Sequence, residues 1–161
     1  LRDVLLDRNP VFWIDRPSYL GVACGAALLV FVSAHLFESR YKVLVWLDAF
    51  ALAIAVAAGS GVAQSLNHSA PVVLVMGIIT GSMGGLMRDV VSNEVPLVLK
   101  QGELYVTCAF AGSAATVIAS HFGLTPSLVA ITCAAVTFTL RAGSMAFGWS
   151  LPVYKSRPPR V

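Results

Sequence analysis

Long apolar runs with few charges divide this chain, and polar loops of a few residues separate them. Five runs are placed as helices spanning a membrane. They cover about Tyr19–Phe37, Val43–Leu66, a third beginning near Pro71, Leu104–Phe122 and Ser127–Trp149. Each approaches the roughly 20 residues that a helix needs to cross a hydrocarbon core of about 30 Å. Neither an alternating pattern nor a one-sided polar stripe runs through them, so a water-facing surface is missing from the segments that would have to carry it. Small residues recur inside the runs (GVACGAAL, ALAIAVAAGSG, CAFAGSAA). In lipid there is no hydrophobic drive between helices, and small side chains let backbones approach closely.

A second pattern overlies the first. Residues 1–35 align without a gap on residues 87–121, 86 positions later. The identical pairs include Arg2/Arg88, Asp3/Asp89, Val4/Val90, Pro10/Pro96, Tyr19/Tyr105, Ala23/Ala109 and His35/His121. Matched apolar residues are cheap in a membrane protein, whereas a matched Arg-Asp pair, proline, tyrosine and histidine are informative. The first and fourth spans lie three crossings apart and therefore run in opposite senses, so the copies are expected to be inverted repeats. Transport proteins are built this way, with the conducting or binding site between the repeats.

The symmetry sets expectations for the organisation. The chain reads as one transmembrane domain, with residues 43–122 the second repeat, 127–151 a final helix and 152–161 a cytoplasmic tail. Residues 1–37 read as the remnant of the first repeat, whose first span and half of whose second are expected to be lacking. Lys and Arg collect on one side (Arg40, Lys42, Lys100, and Lys155, Arg157 and Arg160 in the tail), while the loops NHSAP and GLTP carry no charge. The basic side is expected to be cytoplasmic.

Composition agrees: 57% of residues are hydrophobic, 12% charged, and mean hydropathy is +0.79. The net charge of +3 follows from topology and implies no nucleic-acid partner; the surrounding partner is membrane lipid. Cys24, Cys108 and Cys133 lie singly in spans without metal-ligand spacing and read as small packing residues. No nucleophile–base constellation or nucleotide fingerprint is present, so the chain is read as a non-enzyme without cofactor or metal.

The third span carries the candidate chemistry. From Pro71 to Lys100 it is too long for one crossing, and Gly81-Ser82-Met83-Gly84-Gly85 interrupts its middle, followed by Arg88-Asp89. Glycine weakens a helix, so a kink or break is expected there. The alternative is that the glycines permit tight helix crossing. Asp48 and Arg141 are charges within spans, either paired with each other or with Asp48 drawing cations to an inner mouth. Ser60, Ser65 and Ser82 are candidate pore hydroxyls. His35 and His121 occupy equivalent places and read as interfacial anchors or as pH sensors. Tyr19, Tyr105, Trp13, Trp46 and Trp149 fit an aromatic belt.

The pattern GSMGGLMRDVVSNEVPLVL, its repeat copy LRDVLLDRNPVFW, and the stretches WLDAFALAIAVAAGSGVA and LRAGSMAFGWSLP resemble the prokaryotic trimeric intracellular cation (TRIC) channel family, with its Gly-Gly-Gly-x-x-Arg-Asp signature. The resemblance covers essentially the whole chain. It implies an all-α polytopic membrane protein of two inverted three-helix repeats plus a seventh helix. It also implies a homotrimer in a prokaryotic inner membrane and a potassium-permeable pore within each protomer, with sodium a second permeant ion. Gly81, Gly84 and Gly85 would form the kink of a pore helix, beside Ser82. Arg2, Asp3, Arg88 and Asp89 would cross-link helices or close the pore, and Asp48 and Arg141 would gate or hold the structure. Ser82 and Met83 stand within the glycine cluster, a departure from the signature. The same domain is also described as a glycine transporter, which leaves a secondary transporter of a small solute as the alternative function.

Overall fold

A computed structural model describes residues 2–15, 17–37, 41–100 and 104–150. Arg16, Arg40, Lys155, Arg157 and Arg160 fall outside them, as do the side chains of His35 and Lys42. The described residues are helical, without a strand. The elements are α1 (Arg2–Leu5), α2 (Phe12–Asp15), α3 (Ser18–Phe37), α4 (Tyr41–Ser65), α5 (Ala70–Val91), a 3-10 turn (Leu97–Leu99), α6 (Tyr105–His121) and α7 (Pro126–Phe147). Among the described residues Val43–Ser65, Ala70–Val91 and Pro126–Phe147 are long and apolar enough to cross a membrane, and Ser18–Val32 is a shorter apolar helix.

Two compact units divide the chain, residues 1–48 and 49–161. In the first, α3 carries apolar side chains all round, with Leu29 74% and Phe31 80% exposed. A surface of this kind belongs in lipid or against other apolar helices. Cys24 is exposed there as well, so it does not fill the packing role expected of it.

The second unit holds the core. Leu52 and Val56 of α4, Leu97 of the 3-10 turn, Tyr105 and Ala109 of α6 and Cys133 of α7 form one buried cluster. Around it, glycine meets a neighbour's side chain at successive crossings. A Cβ built on Gly59 of α4 would lie 2.6 Å from the carbonyl oxygen of Met76 and from Thr80 of α5. One on Gly77 of α5 would strike Ser113 of α6, and one on Gly112 of α6 would strike Thr137 of α7. Those hydroxyls donate back into their own helices: Ser113 to Ala109 O at 2.9 Å and Thr137 to Cys133 O at 2.9 Å. The hydroxyl is thereby satisfied locally and packs against the glycine face as a small, dry group.

The two repeat copies fold alike. Each ends its Arg-Asp helix with a left-handed residue, Asp7 (φ 50°) in the first and Asn93 (φ 55°) in the second. Arg8 N–H donates to Asp3 O at 2.8 Å, and Glu94 N–H to Asp89 O at 2.9 Å. Asp7 N–H donates to Val4 O at 3.3 Å, and Asn93 N–H to Val90 O at 3.1 Å. This is the Schellman termination, which satisfies the last free carbonyls and turns the chain. It explains why the third apolar run stops at Val91 instead of reaching Lys100. The 22-residue α5 is roughly 33 Å long, a single crossing, and the remainder is loop and 3-10 turn.

The expected break at Gly81–Gly85 is not there: α5 is α-helical without interruption from Ala70 to Val91. Each glycine weakens a helix by about 1 kcal/mol relative to alanine. A backbone group left unsatisfied at membrane depth costs several kcal/mol, so continuity wins. Tyr105 also departs from the aromatic belt, since it is buried at 2% exposure, whereas its counterpart Tyr19 is half exposed.

Gly112→Val should lower stability by about 1–3 kcal/mol through overpacking against Thr137. Gly25→Ala, whose Cβ meets nothing within 4 Å, should change it by less than about 0.5 kcal/mol. Reversible unfolding in mixed micelles compares the two.

Candidate functional site

The Arg-Asp pairs are true ion pairs. Neighbours on a helix diverge by about 100°, yet Arg88 reaches sideways to its own neighbour. Its Nε donates to Asp89 Oδ1 at 2.8 Å, and a terminal nitrogen lies 2.7 Å from the same oxygen. Arg2 and Asp3 repeat the arrangement, at 2.8 Å for both contacts. In each pair the carboxylate is buried and the guanidinium less so. Asp89 has a further task that the sequence did not reveal. Its Oδ2 accepts the N–H of Leu97 at 2.9 Å, tying the end of α5 to the 3-10 turn eight residues on. A carboxylate with one oxygen on a guanidinium and the other on a buried amide is held in place at both ends.

Upstream of that clamp, Ser82, Gly85 and Asp89 recur at i, i+3 and i+7, one face of α5. Ser82 Oγ is buried and makes no hydrogen bond among the described residues. Gly81, on the neighbouring face, is packed: its Cβ would lie 2.5 Å from Val56 Cγ2 and 3.1 Å from Leu52. Gly84 is exposed, and a Cβ there would meet nothing within 4 Å. Gly85 is half-buried. The glycine cluster therefore divides. Gly81 belongs to helix packing, and Gly84 and Gly85 leave α5 narrow on its remaining sides.

The other candidates separate by burial. Ser60 and Thr116 are fully buried and hydrogen-bonded to each other at 3.0 Å, with Ser60 donating to Val56 O at 2.8 Å. Ser60 is thus a packing hydroxyl and lines no open path. Ser65 is exposed and donates to Val62 O at 2.8 Å. Asp48 of the first unit and Arg141 of the second are buried at 6% and 1% exposure. The Arg141 guanidinium lies 5.2 Å from the centroid of the buried Tyr105 ring. A charge within a spanning helix is costly to insert, and a desolvated cation–π contact of about 2 kcal/mol offsets part of that. The signal for this partnership was present as an aromatic at the start of the fourth span and an arginine late in the fifth. Spacing along the chain gives no hint that the two meet. His121 is exposed at the end of α6.

Comparison with known proteins places these features in a family. Residues 1–35 and 45–121 match a family model described as glycine transporter. A UPF0126 membrane protein of Vibrio cholerae is 33% identical over 159 residues, covering 96% of this chain. The chain spans 64% of that relative's length. The UPF0126 inner membrane protein YadS of Escherichia coli is 34% identical over 158 residues, covering 96% of this chain and 75% of that protein. Among solved structures, one described as the structural basis for conductance through TRIC cation channels superposes with a TM-score of 0.86 at 32% identity, over 98% of this chain and 77% of the other. The TRIC orthologue from Rhodobacter sphaeroides superposes with a TM-score of 0.85 at 35% identity, over 91% of this chain and 75% of that one.

Asp89→Ala should destabilise the protein by about 1–3 kcal/mol, because the Leu97 N–H is left buried and unpaired. Asp89→Asn, which keeps an acceptor there, should recover at least half of that loss. Thermal unfolding in detergent, followed by circular dichroism, measures both.

Proposed function

This chain belongs to the prokaryotic TRIC channel family, the one whose model is described as a glycine transporter, and we propose that it is a monovalent-cation channel with a path inside each protomer. The observation that carries the proposal is the superposition on the structure described as the basis for conductance through TRIC cation channels, along nearly the whole chain at 32% identity. The chemistry of α5 agrees with it. The face bearing Ser82, Gly85 and Asp89 offers a buried hydroxyl oxygen without a hydrogen-bond partner, a gap in place of a side chain, and a carboxylate. Potassium is the permeant ion and sodium the second candidate, since neutral oxygens that replace hydration favour weakly hydrated monovalent cations.

In this mechanism the continuous α5 helix serves as the wall of the path, and narrowness comes from missing side chains. Ser82 Oγ takes the place of a hydration water as the ion passes. The Arg88–Asp89 clamp stands at the end of α5, with Arg2–Asp3 its counterpart in the other repeat, and opening requires at least one pair to swing aside. Asp48 and Arg141 stay structural, holding their helices in register. The protein assembles as a homotrimer in the inner membrane with its C-terminus in the cytoplasm, in keeping with its TRIC and YadS relatives and the basic loops.

Planar-bilayer recording under a KCl gradient tests the reading. Unitary currents are expected to reverse near the potassium potential and to be indifferent to glycine. Ser82→Ala removes one contact of about 1 kcal/mol and should lower conductance roughly fivefold, and Gly85→Leu should abolish it. Well-folded protein that is silent in bilayers yet exchanges radiolabelled glycine across liposomes would replace the channel with a transporter.

A further inference from the structure

The 49–161 unit holds a cavity that is separate from the α5 face. It lies where the end of α4, the end of α6 and the start of α7 come together, and its volume is about 140 Å³. Missing side chains create it. At Gly59, Gly77 and Gly112 a Cβ would strike the facing helix, whereas a Cβ on Gly61 would meet nothing within 4 Å. Gly61 and Ala57 of α4 and Ala130 of α7 are the small residues of the wall, and Leu124, Pro126 and Val129 are the larger apolar ones. Gly61 therefore leaves room that helix packing does not use.

The wall asks for no polar partner. Its hydroxyls belong to Ser65, Thr116 and Ser120, and all are bonded within the protein. Ser65 Oγ donates to Val62 O at 2.8 Å and Ser120 Oγ to Val117 O at 2.7 Å. Thr116 Oγ1 lies 3.0 Å from Ser60 Oγ and 3.4 Å from Gly112 O. Gln64 is also in the lining, but its unpaired Oε1 is sealed from the space by the surrounding protein. No charged side chain lines the cavity. Water needs two to four polar partners, and the roughly four waters that fit would be left mostly against carbon. An apolar group carries no such penalty, and an apolar cavity on the order of 150 Å³ takes a molecule the size of benzene. Left void, the wall forfeits its dispersion contacts on that side.

Access comes from the lipid side. Gln64 and Ser120 also line an open groove with Val117, Ile118, His121 and Phe122. Ile118 is 58% and Phe122 77% exposed, so the groove is continuous with the apolar outer surface of α6. Depth narrows the occupant further. Ser65 and His121 are the last residues of their helices, and Ala57 lies roughly 12 Å further in along α4. The cavity thus stays within one leaflet, whose half of the hydrocarbon core is about 15 Å thick. A lipid with its headgroup at those helix ends has an acyl chain running alongside.

We propose that this cavity binds a segment of a lipid acyl chain, which enters from the Val117–Phe122 groove while its headgroup stays at the ends of α4 and α6. The site shares no residue with the Ser82–Asp89 face, so its occupancy is decided independently of whether the chain conducts.

The test is photolabelling of the full chain in liposomes. The probe is phosphatidylethanolamine carrying a diazirine at the middle of one acyl chain, and mass spectrometry maps the modified residues. Ile54 of α4 and Ile131 of α7, 66% and 63% exposed, report ordinary contact with bulk lipid. Val129 is only 7% exposed, yet it should take label as strongly as those two. Gly61→Leu, which fills the cavity, should lower labelling of Val129 at least about tenfold and leave Ile54 and Ile131 unchanged. Ala130→Leu fills the same space from α7 and serves if the first variant does not fold. A free alkyl diazirine in unlabelled liposomes is the second probe. Labelling of Val129 by the lipid supports the proposal, whether or not the free probe also reaches it. Labelling by the free probe alone replaces the lipid with a soluble apolar ligand and overturns the proposal. Val129 untouched by either probe, with Ile54 and Ile131 labelled, leaves the cavity to water or void and overturns it too. Undiminished labelling of Val129 in a folded Gly61→Leu or Ala130→Leu variant overturns the assignment to this cavity.

Discussion

Close approach of helix backbones is the constraint on which the 49–161 unit depends. In water, helices are driven together by burying apolar surface, but in lipid that drive vanishes because the surroundings are as apolar as the side chains. What remains is contact: dispersion between closely spaced atoms, and small residues that permit it. Gly59, Gly77 and Gly112 supply the space in turn along α4, α5 and α6, and Thr80, Ser113 and Thr137 fill it from the facing helix. The hydroxyls of Ser113 and Thr137 are satisfied within their own helices, whereas that of Thr80 is buried without a hydrogen-bond partner among the described residues. Leu52, Val56, Ala109 and Cys133 form the core beside it.

With packing handled by that seam, charge is free to serve at the helix ends. The Arg-Asp pair sits where α5 stops, and the same bonds close the short helix of the first repeat. Asp89 links two structural levels. Its backbone carbonyl takes the Glu94 N–H in the Schellman turn, and its side chain takes the Leu97 N–H beyond. One residue thus ends a helix, turns the chain and anchors the next segment, while its ion pair neutralises the carboxylate it must bury. This is sufficient structural reason for the pair to recur in both copies.

The order of helices was legible because hydrophobic length and loop polarity alone decide what crosses a bilayer. The apolar runs became α3 to α7 with ends shifted by at most a few residues, except that the third stops at Val91 short of Lys100, and the gapless repeat corresponds to two helix ends with matching hydrogen bonds. Asp7 and Asn93, both of them residues that tolerate left-handed backbone, already sat at equivalent places. The break expected in the third span did not appear because glycine clusters are ambiguous: the same residues break a helix in water-filled surroundings and pack it in dry ones. Ser60, a candidate pore hydroxyl in the sequence, is buried and bonds back to its own helix; a hydroxyl in a span has one appearance in sequence whether it faces a lumen or a neighbour. The Tyr105–Arg141 contact and the Gly61 cavity join residues dozens of positions apart, and nothing local encodes such meetings.

An uninterrupted α5 changes how selectivity has to arise. A broken helix would offer main-chain carbonyls to a passing ion, but the carbonyls of a continuous helix are engaged within it. Oxygen along this helix must therefore come from side chains, and on the face of α5 that carries Asp89 the candidate is Ser82. A single hydroxyl replaces one hydration water, not the whole shell, so an ion beside α5 keeps most of its water. That favours weak selectivity among monovalent cations and disfavours divalent ions, whose tightly held shells gain little from one neutral oxygen. On the proposed channel reading, glycine at positions 84 and 85 serves within a continuous helix: the absence of side chains would leave room for an ion that still carries water.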